Sequence, residues 1–177
     1  MKHLPNSITV LRIIGAIFLF VVEPLSVSFY ILYTLCGFTD IIDGFLARKL
    51  GLTSELGAKL DSIADLFYYS AMVLNILPRI FDDVSIFAWG FAALIIITRL
   101  FSYIFAAKKY HCFTSLHTFG NKVSGLVVFS VPYLIQFIPE TIVCILTCLV
   151  CAFATIDELL IHITRSEYDA NVKSFFL

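Results

Sequence analysis

The strongest constraint on this chain is a series of apolar runs, each about as long as a bilayer is thick, separated by short polar turns. A helix that crosses a membrane needs about 20 apolar residues. In hydrocarbon, only helices and closed barrels satisfy all of their own backbone hydrogen bonds. Six runs are legible, at residues 8–22, 25–47, 57–77, 84–107, 120–138 and 141–163. The expected fold is an all-α membrane protein: six transmembrane helices in one bundle, a single domain over residues 1–177. Of the 177 residues, 60% are hydrophobic and only 14% charged, with a mean hydropathy of +0.95. One small globule cannot hide that much apolar surface, so lipid must cover the excess.

The turns have local signatures. Pro5-Asn6-Ser7 reads as a helix start, Glu23-Pro24 ends the first run, Pro139-Glu140 turns between the fifth and sixth, and Pro132 predicts a kink in the fifth. Lys2, Arg12, Arg48, Lys49, Lys59, Lys108, Lys109, Lys122, Arg165 and Lys173 fall on one side of a six-span arrangement. The positive-inside rule therefore predicts that both termini and the two basic loops face the cytoplasm. A net charge of -1 with mixed signs gives no sign of a nucleic-acid partner. Cys144, Cys148 and Cys151 follow helical spacing without His or carboxylate between them, and they read as small apolar residues of a lipid-buried helix.

The chemistry concentrates between residues 40 and 65. Asp40, Asp43, Gly44 and Ala47 share one helix face, and Gly57, Asp61 and Asp65 share a face of the next helix. The short basic loop between them predicts antiparallel neighbours whose acidic faces meet, four carboxylates at one point near the membrane edge. Carboxylates at membrane depth cost roughly 2.5–3.5 kcal/mol each on insertion scales, and like charges raise that cost. Two divalent cations would offset four negative charges. All-oxygen ligands point to Mg²⁺ or Mn²⁺, in a two-metal arrangement suited to a phosphate or pyrophosphate. Gly44, Ala47 and Gly57 leave room for a phosphate or flat ring at the backbone, Arg48 can hold a phosphate, and Thr53 and Ser54 add hydroxyls.

The stretch Asp40-x2-Asp43-Gly44-x2-Ala47-Arg48-x8-Gly57-x3-Asp61-x3-Asp65 resembles the signature of the CDP-alcohol phosphatidyltransferases at eight fixed residues over 26 positions. The opening Leu4-Pro5-Asn6-Ser7-Ile8-Thr9-Val10-Leu11-Arg12 is similar to the start of the phosphatidylglycerophosphate synthase branch. The resemblance implies attack of an alcohol on a CDP-linked lipid such as CDP-diacylglycerol, with release of CMP. It implies that Asp40, Asp43, Asp61 and Asp65 ligate metal, and that Asp65 also takes the proton of the attacking hydroxyl. It implies a CDP site of Gly44, Ala47, Arg48 and Gly57, with Asn6, Thr9 and Ser54 beside it. It also implies a homodimer packed through its transmembrane helices.

The acceptor alcohol is read from other residues. Arg99 inside the fourth run should face the bundle interior. With Lys122 and His117 it would form a positive pocket for a phosphorylated acceptor such as glycerol 3-phosphate, whereas Lys108 and Lys109 read as membrane anchors. Ser62 and Leu66 depart from the proline and lysine usual in the phosphatidylglycerophosphate synthases. Asp61-Ser62-Ile63-Ala64-Asp65 instead resembles the phosphatidylserine synthases, so serine and inositol phosphate stay open as acceptors. Asp157 and Glu158 read as a solvated helix end, although they could also reach the acceptor. The alternatives of another class are a cation-coupled transporter, which would use buried aspartates as an ion path, and a non-catalytic helical scaffold.

Overall fold

Hydroxyl side chains set the starts of three helices, and a glycine follows the end of one. The computed structural model describes residues 4–51, 55–110, 118–165, 172, 174 and 175. These form α1 (Leu4–Leu19), α2 (Val27–Lys49), α3 (Glu55–Ile80), α4 (Ile86–Tyr110), α5 (Phe119–Leu134) and α6 (Glu140–Thr164), with no strand among the described residues. Hydropathy alone starts α2 and α4 two residues early. Ser26 Oγ accepts from the Phe29 N–H at 3.1 Å and Ser85 Oγ from the Ala88 N–H at 3.3 Å, so each helix begins just after its cap. Thr118 caps α5 in the same way, accepting from the Asn121 N–H at 3.1 Å. Past the end of α2, Gly51 takes φ 64°, a backbone conformation that suits glycine.

Two expected boundaries move. Pro5 lies inside the first turn of α1, where its missing N–H costs nothing. Helix α5 stops at Leu134 instead of reaching 138, so Pro132 stands in its last turn and marks its end. Among the described residues, α2 over Val27–Leu46, α4 and α6 are long and apolar enough to cross a membrane. Helix α3 is long enough at 26 residues but carries Asp61 and Asp65. Helices α1 and α5 have 16 residues each, about 24 Å at 1.5 Å per residue. Large apolar side chains stand exposed along the helices, among them Leu11, Phe18, Ile31, Phe38 and Ile97. That is the outward face expected of a multi-pass membrane protein, whose solvent on that side is lipid.

The chain forms two compact units, residues 1–81 and 82–177. In the first, α1 packs against both α2 and α3. Its buried residues Thr9, Arg12, Ala16 and Leu19 follow the 3–4 residue rhythm of one helix face. Gly15 lets α2 approach closely, since a Cβ there would stand 2.8 Å from Cys36 Sγ. Asn75 of α3 donates to the Leu19 carbonyl at 3.0 Å and so satisfies the last turn of α1. Stacked rings of Phe29, Tyr33 and Tyr68 fill the rest of this core, with centroids 5.5 and 4.9 Å apart. The acidic faces of α2 and α3 meet as expected, with oxygens of Asp40, Asp61 and Asp65 within 4.8 Å of one another, and the sequence did not show that α1 is the main packing partner of both helices.

In the second unit α6 is the central helix, packed against α4 and α5. A Cβ on Gly120 would lie 3.2 Å from Ala154 Cα, so glycine permits the α5–α6 approach. Thr141 ties the start of α6 to the turn before α4: its Oγ1 accepts from the Ser85 N–H at 3.1 Å and donates to the Asp83 carbonyl at 3.0 Å.

Candidate functional site

Helix α1 brings a cation into the acidic faces of α2 and α3. One terminal nitrogen of Arg12, Nη1, bonds Asp40 of α2 and, at 3.1 Å, Asp65 of α3. The other, Nη2, bonds Asp61 of α3 and, at 3.3 Å, Asp43 of α2. Each nitrogen thus bridges the two helices, a use of the planar fork that a lysine could not reproduce. The Arg12 side chain is only 1% exposed, and its Nε has no hydrogen-bond partner among the described residues.

The four acids are not equivalent. The side chains of Asp40, Asp61 and Asp65 are 47%, 50% and 45% exposed, whereas that of Asp43 is 5% exposed. Asp43 accepts a 2.8 Å bond from Thr9 Oγ1 in addition to that from Arg12. Carboxylate oxygens of Asp40, Asp61 and Asp65 lie within 4.8 Å of one another, and Asp43 stands outside that group. Three accessible hard oxygens, with no sulfur or imidazole among them, are a donor set that suits Mg²⁺ or Mn²⁺. One guanidinium offsets only one of the four negative charges, so the cluster retains an excess that further cations would relieve. The residues therefore fit a divalent-metal site.

Of the expected nucleotide residues, Thr9, Gly44 and Gly57 are described beside this cluster. Gly44 follows Asp43 in α2, and Gly57 lies one turn before Asp61 in α3. Thr9 is buried and turned to Asp43. Ala47 and Arg48 continue α2, and Asn6 lies in the first turn of α1, with their side chains outside the described part. Ser54 lies outside the described residues.

A second polar cluster lies in the 82–177 unit. Arg99 donates from Nη2 to Asn121 Oδ1 at 3.1 Å and from Nε to Tyr103 Oη at 2.9 Å, and it stands 3.7 Å from Glu158 Oε2. Asn121 Nδ2 donates to the same Glu158 oxygen at 3.0 Å, and His162 Nε2 lies 3.8 Å from Oε1. Sequence reasoning predicted an inward-facing Arg99 but missed Asn121 and His162. The reading of Asp157 and Glu158 as a solvated helix end is corrected: both are 0% exposed. Asp157 Oδ1 accepts from Ser174 Oγ and from the Phe175 N–H, each at 2.8 Å, so a returning C-terminal segment covers it. Lys122 is exposed, and the contacts above do not include it. His117 lies outside the described residues. Lys109 donates to the carbonyls of His162 and Ile163 at 2.7 and 3.1 Å, capping the end of α6 where a cation is favoured.

Arg12 is the main residue that sequence reasoning passed over, taken there for an ordinary positive-inside charge. A signal was present: an arginine three residues past Thr9, on the face that continues to Ala16, within an otherwise apolar run.

Comparison with known proteins bears on the family. The chain matches the CDP-alcohol phosphatidyltransferase family over residues 2–156. A CDP-diacylglycerol--glycerol-3-phosphate 3-phosphatidyltransferase of Rickettsia felis is 30% identical over 89 residues, 44% of this chain and 46% of the relative. One of the same name from Wigglesworthia glossinidia brevipalpis is 43% identical over 68 residues, 36% of this chain and 37% of that protein. A CDP-diacylglycerol--inositol 3-phosphatidyltransferase of Candida albicans is 37% identical over 73 residues, 41% of this chain and 32% of that protein. The matched part is less than half the length of each of these curated relatives. No solved structure matches the chain.

Proposed function

The chain belongs to the CDP-alcohol phosphatidyltransferase family, and from that membership we propose that it moves a phosphatidyl group from CDP-diacylglycerol to glycerol 3-phosphate, releasing CMP. The observation that carries the reading is the convergence of Asp40, Asp43, Asp61 and Asp65 on one point. Asp40, Asp61 and Asp65 would hold Mg²⁺ or Mn²⁺, with Asp43 held behind them by Thr9 and Arg12. When bound, two such ions would neutralise the pyrophosphate and stabilise the charge that develops on departing CMP. Asp65 is half exposed and so open to an acceptor hydroxyl. Its carboxylate takes the O–H proton, the oxygen forms a bond to phosphorus of the phosphatidyl group, and the bond from that phosphorus to the CMP oxygen breaks. Gly44, Ala47, Arg48 and Gly57, with Asn6, Thr9 and Ser54, would line the CDP site.

Arg99 supports a phosphorylated acceptor, with Lys122 and His117 as the further positive groups of that pocket. Glu158 and Asn121 would fix the orientation of Arg99. We further propose six spans with both termini and the acidic site at the cytoplasmic face, and assembly as a homodimer. Other acceptors have their own support, since the Candida albicans relative is named for inositol and Asp61-Ser62-Ile63-Ala64-Asp65 resembles the phosphatidylserine synthases. The transporter alternative draws no support from the family or from these relatives.

The test is CMP release by the purified protein from CDP-diacylglycerol with Mg²⁺ or Mn²⁺, offering glycerol 3-phosphate, serine, inositol and inositol phosphate separately. Release with glycerol 3-phosphate alone, abolished by EDTA and restored by either ion, is the expected result. Release with another acceptor instead would overturn the acceptor, and release that survives EDTA would overturn the metal site.

A further inference from the structure

Arg12 raises a question that the transfer reaction does not answer, because its guanidinium holds the same carboxylates that a metal would need. Nη1 takes Asp40 and Asp65, and Nη2 takes Asp61 and Asp43. Three of these four acids are the ones whose oxygens lie within 4.8 Å of one another. We propose that Arg12 is a resident competitor for the aspartate cluster, a positioning residue that holds the four carboxylates together and sets how tightly divalent ions bind. The proposal rests on the metal reading above and goes beyond it, since it assigns a role to a side chain of α1.

Three observations lead there. The guanidinium is nearly excluded from solvent, so water does little to screen its charge from the acids around it. A carboxylate oxygen directed at an N–H has a lone pair engaged that a cation would otherwise take, so a guanidinium and a metal ion draw on one set of acceptor sites. The Arg12 Nε is buried without a hydrogen-bond partner among the described residues, although a buried N–H of this kind ordinarily finds one. Like-charge repulsion would drive the four acids apart without a cation between them. Arg12 supplies that cation, at the cost of weaker metal binding.

The measurement is Mn²⁺ titration of the full chain in detergent micelles, with free Mn²⁺ read from its electron paramagnetic resonance signal, for the intact protein, Arg12→Met and Arg12→Lys. Thermal unfolding of each, in EDTA and in saturating Mn²⁺, accompanies it. Arg12→Met is expected to bind Mn²⁺ at least tenfold more tightly than the intact protein. It should unfold at a lower temperature in EDTA and recover when Mn²⁺ is added. Arg12→Lys, a point charge unable to fork across four acids, should fall between the two and carries the comparison if the methionine variant does not fold. A purely structural arginine predicts a deficit in stability that Mn²⁺ does not remove and an affinity that is unchanged or weaker. Either result, with Mn²⁺ still bound by the intact protein, overturns this proposal alone. Absence of Mn²⁺ binding by the intact protein and both variants overturns the metal reading and this proposal with it.

Discussion

The pair Arg99–Glu158 allows an asymmetry to be worked out in advance. Glu158 is 0% exposed and Arg99 is 29% exposed, at a separation of 3.7 Å. Replacing Arg99 with Met leaves a fully buried carboxylate without that cation, and breaking such a pair typically costs about 3–5 kcal/mol. Because Arg99 already reaches solvent, the lower figure applies, about 3 kcal/mol. Glu158→Gln removes the charge but keeps an oxygen to accept from Asn121, and the arginine left behind can be hydrated. That variant should cost about 1 kcal/mol, the worth of one weakened hydrogen bond. In the double variant no charge is stranded. Only the bonds of Arg99 to Tyr103 and Asn121 are missing, so its cost should be about 2 kcal/mol and not the sum of about 4. Equilibrium unfolding in mixed micelles, followed by circular dichroism, gives all three values. A double variant additive to within about 0.5 kcal/mol would refute the reasoning, because it would mean that the two groups do not feel each other.

Two further outcomes follow from the first unit. Asp65→Asn should lower CMP release by about 10²–10⁴-fold, the usual worth of a general base, while the folded variant still binds CDP-diacylglycerol; unchanged turnover would remove Asp65 from the chemistry. Gly15→Ala puts a methyl 2.8 Å from Cys36 Sγ and should cost about 1–3 kcal/mol by overpacking. Adding Cys36→Ala should recover part of that loss, and a double variant no more stable than the single one would show that the strain lies elsewhere.

The aspartates were legible because a residue pattern states which side chains share a helix face, and the 40–65 stretch carries that pattern without a gap. What brings the faces together was not legible. A loop of a few residues suggests neighbouring helices, but it says nothing of a third helix packed against both, and so α1 was missed as their partner. Arg12 was obscured for a related reason: a lone arginine near the start of a span has an ordinary explanation in membrane topology, and only its surroundings separate that from a role in the cluster. Asp157 and Glu158 show the opposite error. Acids near a helix end are commonly solvated, but here Arg99, Asn121 and the later residues Ser174 and Phe175 supply partners from elsewhere in the chain. Burial made by distant segments leaves no local trace in a sequence. The helix ends came within a few residues because apolar runs report where a helix can continue, whereas the caps at Ser26, Ser85 and Thr118 decide where it starts.

The unequal exposure of the four acids gives the cluster a floor and a rim. Asp43, covered and tied to Thr9, is the floor; Asp40, Asp61 and Asp65 are the rim. Solvent reaches the cluster through Asp40, Asp61 and Asp65 and hardly at all through Asp43. A water-borne reagent for carboxylates would therefore meet the three rim acids well before Asp43.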